Sequence, residues 1–290
     1  LKKVLYYFTK VEYYSNATFL RKEIYDMKNF KKVFILMMAL VMTFVMAACG
    51  ADDAQSDMEY VKEKGTLVVG ITEYEPMDYK AENGDWIGFD ADMAKAFAES
   101  LGVDVEFTVI DWDNKIAEIK GKSIDVVWNG MTLIDEVTSA LGTTNPYCKN
   151  GQVVVVKKEK ADQIQSEEDL QGLTFAAEAG SAGEKTLKGM DFEVTAVQTQ
   201  ADALMEVSAG TSDACVIDLI MAGAMIGEGT SYEDLTYTVQ LNNEEYGVAF
   251  RPESDLVEAL NQFFKDSYAD GTMMEIAKKY GVQESIIEQK

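Results

Sequence analysis

From residue 65 onward the chain alternates short apolar runs with amphipathic stretches, and it does so in two successive series. The first series opens with a strand over 65–71 (GTLVVGI). A helix follows in which Asp90 is placed to cap, Met93, Phe97 and Leu101 share one face, and Gly102 ends the run. Val103, Val105, Phe107 and Val109 alternate as in a half-buried strand, Ile116 and Ile119 mark a short helix, and 123–128 and 152–156 read as strands. The second series places strands at 173–177, 194–197 and 214–217. Its helices start after Gly180-Ser181-Ala182-Gly183 and cover 201–208 and 219–226. Strands at 237–241 and 247–250 follow, then helices over 256–267 and 273–280 with Asp270-Gly271 as the turn between them. Such alternation limits the chain to an α/β fold of mostly parallel sheets flanked by helices. Two series predict two lobes, with crossovers near 150–152 and 239–242.

The stretch before this has a different character. Residues 27–48 read MKNFKKVFILMMALVMTFVMAA and precede Cys49. A basic start (Lys28, Lys31, Lys32) runs into an apolar block and then small residues, the layout of a secretion signal. The apolar block spans 16 positions, 33–48, short for a membrane-crossing helix. Met46-Ala47-Ala48-Cys49 resembles the lipobox of bacterial lipoproteins, which implies cleavage before Cys49 and a lipid on that cysteine. An ordinary signal peptide or one transmembrane anchor is the alternative. Since Met27 begins the leader, residues 1–26 are expected to stem from a misassigned start, 27–48 to be the signal, and 49–58 an acidic linker.

The first 48 residues hold 8 basic and 3 acidic residues of the chain's 26 and 50, so the remaining 242 carry 18 and 47, a net charge of −29. That surface repels phosphate backbones, so no nucleic-acid partner is expected. It also disfavours contact with anionic lipid, leaving the lipid anchor as the only membrane element. The sequence has no histidine, which excludes Ser-His-Asp and Cys-His catalysis and the commonest zinc ligand. No metal site and no cofactor are expected. Cys148 and Cys215 fall in different series, so free thiols are expected rather than a disulfide.

Ligands of open α/β sheets bind outside the carboxyl ends of the strands. After the strands come Glu73, Tyr74 and Pro76; Asp111-Trp112-Asp113; Trp128-Asn129-Gly130-Met131-Thr132; Gly180-Ser181-Ala182-Gly183; and Asp218. Aromatic faces, small polar donors, glycines and a carboxylate suit a small polar molecule in a cleft, and no nucleophile–base pair emerges.

These segments carry a resemblance. GTLVVGITEYEP (65–76), GDWIGFDADMAKAFAESLG (84–102), IDVVWNGMT (124–132), NPY (145–147), EEDLQGLTFAAEAGSAGE (167–184), SDACVID (212–218), YGVAFR (246–251) and DGTMMEIAKKYG (270–281) are similar to the polar-amino-acid-binding lipoproteins of ABC importers. The resemblance covers nearly all of the chain after Cys49. It implies a type II periplasmic-binding-protein fold: a discontinuous lobe 1 of 59–151 and 242–290, a lobe 2 of 152–241, and two crossing strands as the hinge. It also implies a monomer outside the cytoplasm, lipid-anchored to the outer face of the bacterial cytoplasmic membrane. Its partners would be a permease with its ATPase, and its ligand an amino acid or amine.

The resemblance assigns roles position by position. Tyr74 and Trp112 fall where aromatics flank the ligand, though each could be a plain core or surface aromatic. Asn129 and Thr132 fall where lobe 1 offers hydrogen bonds, with Gly130 and Met131 supplying backbone groups; a plain strand-to-helix turn is the alternative. Ser181 opens a helix whose N–H groups favour a carboxylate, or is an ordinary N-cap. Asp218 falls where the family holds the α-ammonium, or caps a helix. One position departs. The arginine usual five residues after the threonine of GMT is Val137 here, Ala182 replaces a frequent hydroxyl, and Arg251, the single arginine after Cys49, is not at a binding position. A ligand carboxylate would lack its usual partner, so a zwitterionic or cationic solute is expected, with Glu73 placed to read a cationic group. Two other readings stand beside this non-enzymatic one: a cyclohexadienyl-dehydratase-like enzyme using Glu178, and a solute sensor acting through a separate protein.

Overall fold

The computed structural model describes residues 55–290. The readings on the misassigned start, signal peptide and lipidated Cys49 lie outside these residues. Helix α1 (Asp57–Lys64) begins inside the stretch read as linker. Ser56 accepts a bond from the Glu59 N–H, the left-handed Gly65 ends the helix, and Val61 is buried, so capping and one anchor outweigh a weakly amphipathic sequence.

The first sheet has the order β4-β1-β5-β13-β6, where β6 is Gly142–Thr143, with β7 also on β13; β2 (Tyr79–Lys80) and β3 (Trp86–Ile87) pair only with each other. Strand β1 (Thr66–Ile71) runs parallel to β4 (Asp104–Val109) and β5 (Val126–Thr132), while β13 (Glu244–Phe250) runs antiparallel to β5. The second sheet has the order β10-β9-β11-β8-β12. In it β9 (Phe175–Glu178) is parallel to β10 (Val194–Val197) and β11 (Ala214–Asp218), and β8 (Gln152–Lys157) and β12 (Leu235–Gln240) are antiparallel neighbours. The strands read from apolar runs are present, with β5 shifted toward Thr132 and β13 extended back to Glu244.

Helix α2 (Phe89–Leu101) packs on the first sheet, burying Phe89, Met93 and Phe97. Its start corrects the sequence reading. Gly88 is the cap residue, and Asp90 lies inside the helix with its carboxylate turned inward. There it accepts the Gly130 N–H at 2.7 Å and the Tyr147 hydroxyl. A carboxylate at a first helical turn serves equally as a cap or as an inward acceptor, and the buried donors decided. Around it Phe97, Trp128, Tyr147 and Phe264 form an aromatic core, with Trp128 edge-on to Phe264 at 5.5 Å. The second sheet has its own core of Val154, Val156, Phe175, Leu187 and Val216.

The chain passes between the sheets twice, side by side. Strand β7 (Cys148–Asn150) leaves the first sheet and β8 enters the second one residue later, while β12 returns to β13. Gly151 sits where the passages touch, since a Cβ there would meet the Asn242 carbonyl at 2.6 Å. The result is a two-lobed, type II periplasmic-binding-protein fold with two crossing strands as hinge. Cys148 and Cys215 are buried free thiols on different sheets. Among the described residues no helix is long and apolar enough to cross a membrane.

Candidate functional site

One cleft takes its lining from both sheets. The first sheet contributes Thr72, Tyr74 and Trp112 from the loops after β1 and β4, and Asn129–Thr132 from the end of β5. The second contributes Glu178 from the end of β9, Ser181 and Ala182 from the start of helix α5 (Ala182–Gly189), and Asp218 from the end of β11. The strands' carboxyl ends thus meet across one space, the place where open α/β sheets hold their ligands.

Asp218 is held through both of its carboxylate oxygens. Its Oδ1 accepts from Asn150 Nδ2 at 2.6 Å and Gln152 Nε2 at 2.7 Å, and its Oδ2 from Gln200. The same two amides also donate to Glu244 Oε1, at 2.7 and 2.8 Å. Burial, and then the charge of Glu244, push the Asp218 carboxyl up to about 7. Tyr74 is buried, edge-on to Tyr246 with a hydroxyl–hydroxyl bond of 2.6 Å. Gly130 permits this, for its φ is +55° and a Cβ would lie 2.4 Å from the Tyr74 ring.

Lys115, in helix α3 (Lys115–Lys120), is the one cation among the described lining residues. Its ammonium lies 4.8 Å over the Trp112 ring and donates to the carbonyls of Trp112 at 3.1 Å and Gly180 at 3.0 Å, the latter across the cleft. Burial, and then Lys185, bring it down to about 8. Glu178 is pushed up to about 8 by burial and then by Asp218. Its Oε1 has no hydrogen-bond partner among the described residues.

Of the residues singled out in the sequence, Tyr74, Trp112, Asn129, Gly130, Met131, Thr132, Ser181 and Asp218 line this cleft. Glu73 does not; it lines a separate groove with Lys80, Trp86 and Asp111. Several side chains are committed to the protein itself. The Asn129 amide accepts from the Thr72 N–H and hydroxyl and donates to the Thr72 carbonyl and Asp78, which uses all its capacity. Thr132 donates to Glu244 at 2.8 Å, and the Gly130 N–H is spent on Asp90. Ser181 caps α5 by accepting the Glu184 N–H at 3.0 Å. Asp218 precedes helix α7 (Leu219–Met225) but makes no side-chain cap bond, because its oxygens face the amides. Val137 lines the cleft and is buried, so the arginine's position is apolar. Arg251 lies elsewhere, paired with Asp57 at 2.7 Å and Asp125 at 3.4 Å.

A family model described as bacterial extracellular solute-binding proteins, family 3, matches residues 67–283. The chain belongs to this family. It is 30% identical over 259 residues to the arginine-binding extracellular protein ArtP of Bacillus subtilis, covering 86% of this chain and 98% of ArtP. It is 29% identical over 226 residues to the L-cystine-binding protein TcyJ of Escherichia coli, covering 76% and 84%. Among solved structures, an ABC uptake transporter substrate-binding protein from Streptococcus pneumoniae with bound histidine superposes with a TM-score of 0.74 at 30% identity, covering 80% and 99%. These relatives are binding proteins, and the family 3 chain described here is a solute-binding protein rather than an enzyme.

Sequence reasoning missed Lys115 and Gln200 as lining residues of this family 3 cleft, and Asn150, Gln152 and Glu244 as the groups linked by hydrogen bonds behind Asp218. Lys115 follows Trp112 at a strand end and could have been found by position. Asn150, Gln152 and Glu244 flank the crossovers, where no periodicity marks a polar residue that faces a partner strand. Among the described residues no group of three or more His, Cys, Asp or Glu side chains could hold a metal.

Proposed function

We propose that this protein is the extracytoplasmic receptor of an ABC importer, capturing an amino acid or a related zwitterionic or cationic solute and delivering it to the permease and its ATPase. One observation carries the reading: Asp218 from one sheet and Tyr74 and Trp112 from the other line a single enclosed cleft. An ammonium beside the Asp218 carboxylate gains a charge-assisted interaction in a desolvated space, while the aromatic faces cover the solute's apolar part. The named ligands of the relatives (arginine, cystine and histidine) share an amino-acid frame, which supports that solute class. In this reading residues 59–151 with 242–290 and residues 152–241 are the two lobes. They close over the solute about the paired crossings, and lobe closure presents the docking face to the permease. The Met46–Cys49 sequence supports a lipid on Cys49 that holds a monomer at the membrane's outer face.

The test is native mass spectrometry of the purified protein for a co-purified small molecule, followed by calorimetric titration of unfolded and refolded protein with amino acids and amines. Binding of an amino-nitrogen compound that Asp218→Asn loses is the expected result. A protein that takes up none of them, while folded, would refute the receptor role.

A further inference from the structure

We infer that Glu178 selects a solute with a second cationic group, so that the ligand carries net positive charge: a basic amino acid or a diamine in preference to a neutral amino acid. This deepens the receptor reading and rests on it. Glu178 ends strand β9 inside the cleft, is 3% exposed, and holds Oε1 without a hydrogen-bond partner among the described residues. The Asp218 oxygens, by contrast, both hold protein amides. Glu178 thus brings to the cleft a buried acceptor oxygen with no protein donor among the described residues, which a second ligand donor can use.

The charges around the cleft agree. Asp218 and Glu178 line it, and Glu244 stands behind Asp218 on shared donors. Against them stands Lys115 alone among the described lining residues, with two of its three hydrogens given to the Trp112 and Gly180 carbonyls. Val137 offers no counter-charge to a ligand carboxylate. Enclosing unbalanced charge is unfavourable, so a solute whose positive charges outnumber its negative ones fits this lining best. The groups that face Glu178 are Asp218 from β11, Gln200 and Asp202 from helix α6 (Gln200–Ala209), and Lys115 from α3. Burial is the largest influence and holds the carboxyl protonated at neutral pH in the absence of a cation. Docking a cation against Oε1 favours the carboxylate, and the proton leaves to solvent.

The experiment is titration calorimetry of the protein at pH 7 with matched pairs, lysine against norleucine and 1,5-diaminopentane against pentylamine, in two buffers of different ionisation heat. The expected result is that each dicationic member binds about tenfold or more tightly than its match. Its binding also releases more protons than the binding of norleucine, which draws only on Asp218, and Glu178→Gln reduces both the preference and that extra release. Norleucine binding as tightly as lysine would overturn the inference and leave the receptor role standing, as would unchanged preference and proton release in Glu178→Gln. Failure of every amine and amino acid to bind would overturn both. The matched pairs in the unaltered protein keep the question open to test even if Glu178→Gln folds poorly.

Discussion

Asp218 and Glu244 come from different sheets and share the same two amide donors. Asn150 and Gln152 each give hydrogen bonds to one oxygen of either carboxylate, at 2.6–2.8 Å. All four residues sit where the chain crosses between the sheets. The carboxylate proposed to meet the ligand's ammonium is thus hydrogen-bonded to residues of the first crossing. Burial, and then the like charge of Glu244, hold the proton on Asp218 up to about 7 against the pull of these donors.

That geometry fixes the direction of a pH effect. Asp218 is raised from 3.8 to about 7, so its contribution to stability is fully present below about pH 4 and is lost as pH rises through 7. Asp90, raised to about 7, and Glu178, raised to about 8, act in the same direction. The melting temperature of ligand-free protein should therefore fall between pH 5 and pH 8, and Asp218→Asn should flatten the slope. Binding of an amine runs the other way. It needs the carboxylate, so affinity at pH 6 should be about tenfold weaker than at pH 8. An affinity that stays level over this range would show that Asp218 does not carry the ammonium.

Gly130→Ala tests the aromatic wall. The backbone there is left-handed, with a φ of +55°, and the added methyl would lie 2.4 Å from the Tyr74 ring and 3.1 Å from Tyr246. Strain and overpacking together should cost about 2–4 kcal/mol. Urea unfolding should show a lower midpoint at unchanged slope. Ligand affinity should fall as well, because Tyr74 must turn from the cleft. Unaltered stability would mean that the ring moves aside freely.

How much of this was legible in the chain depended on what each residue answers to. The strand series followed from apolar runs whose burial leaves few alternatives, as in Val153–Val156, all four of them buried. The cleft followed from position, since Tyr74, Trp112 and Asp218 end strands that the topology points at one another. What escaped was the use made of each polar side chain. The Asn129 amide is engaged with Thr72 and Asp78, partners far away in sequence, whereas Ser181 accepts the Glu184 N–H three residues on, the capping role its position allowed. Glu73, one residue from Tyr74, faces another groove because neighbouring residues in extended chain point to opposite sides. Asp90 read as a cap because sequence shows a carboxylate's place on a helix but not the Tyr147 hydroxyl that draws it inward.

Two contacts between the lobes bear on how long the proposed receptor would hold its solute. Lys185 of α5 pairs with Glu136 of helix α4 (Asp135–Ala140), and Gln198 bonds Asp111, so each links the two lobes. The Glu136 side chain is 56% exposed and that of Lys185 36%, so solvent screens the pair and its worth is about 0.2–1 kcal/mol. Glu136→Gln should leave the melting temperature nearly unchanged. It should raise the ligand's dissociation rate by up to about fivefold, more at low salt than at high. Stopped-flow displacement at two salt concentrations measures this, and a dissociation rate equal to that of the unaltered protein would remove the pair from the closing mechanism.

Val137→Arg addresses the departure from the family. Val137 is buried in the cleft wall, five residues after Thr132, where the resembling proteins place the arginine that clamps a carboxylate. The larger side chain overpacks helix α4, at a stability cost of about 1–3 kcal/mol. Its guanidinium would add the one positive charge that the lining lacks. A zwitterion with an uncharged side chain would then balance the cleft, and neutral amino acids should gain about tenfold or more in affinity through a bidentate carboxylate pair. Preference for a dicationic solute should narrow at the same time, because the added charge opposes a second cation. The two effects are read from one calorimetric series on folded variant protein. If neutral amino acids gain nothing there, the carboxylate must be held by other groups, with the α5 N–H groups the first to examine.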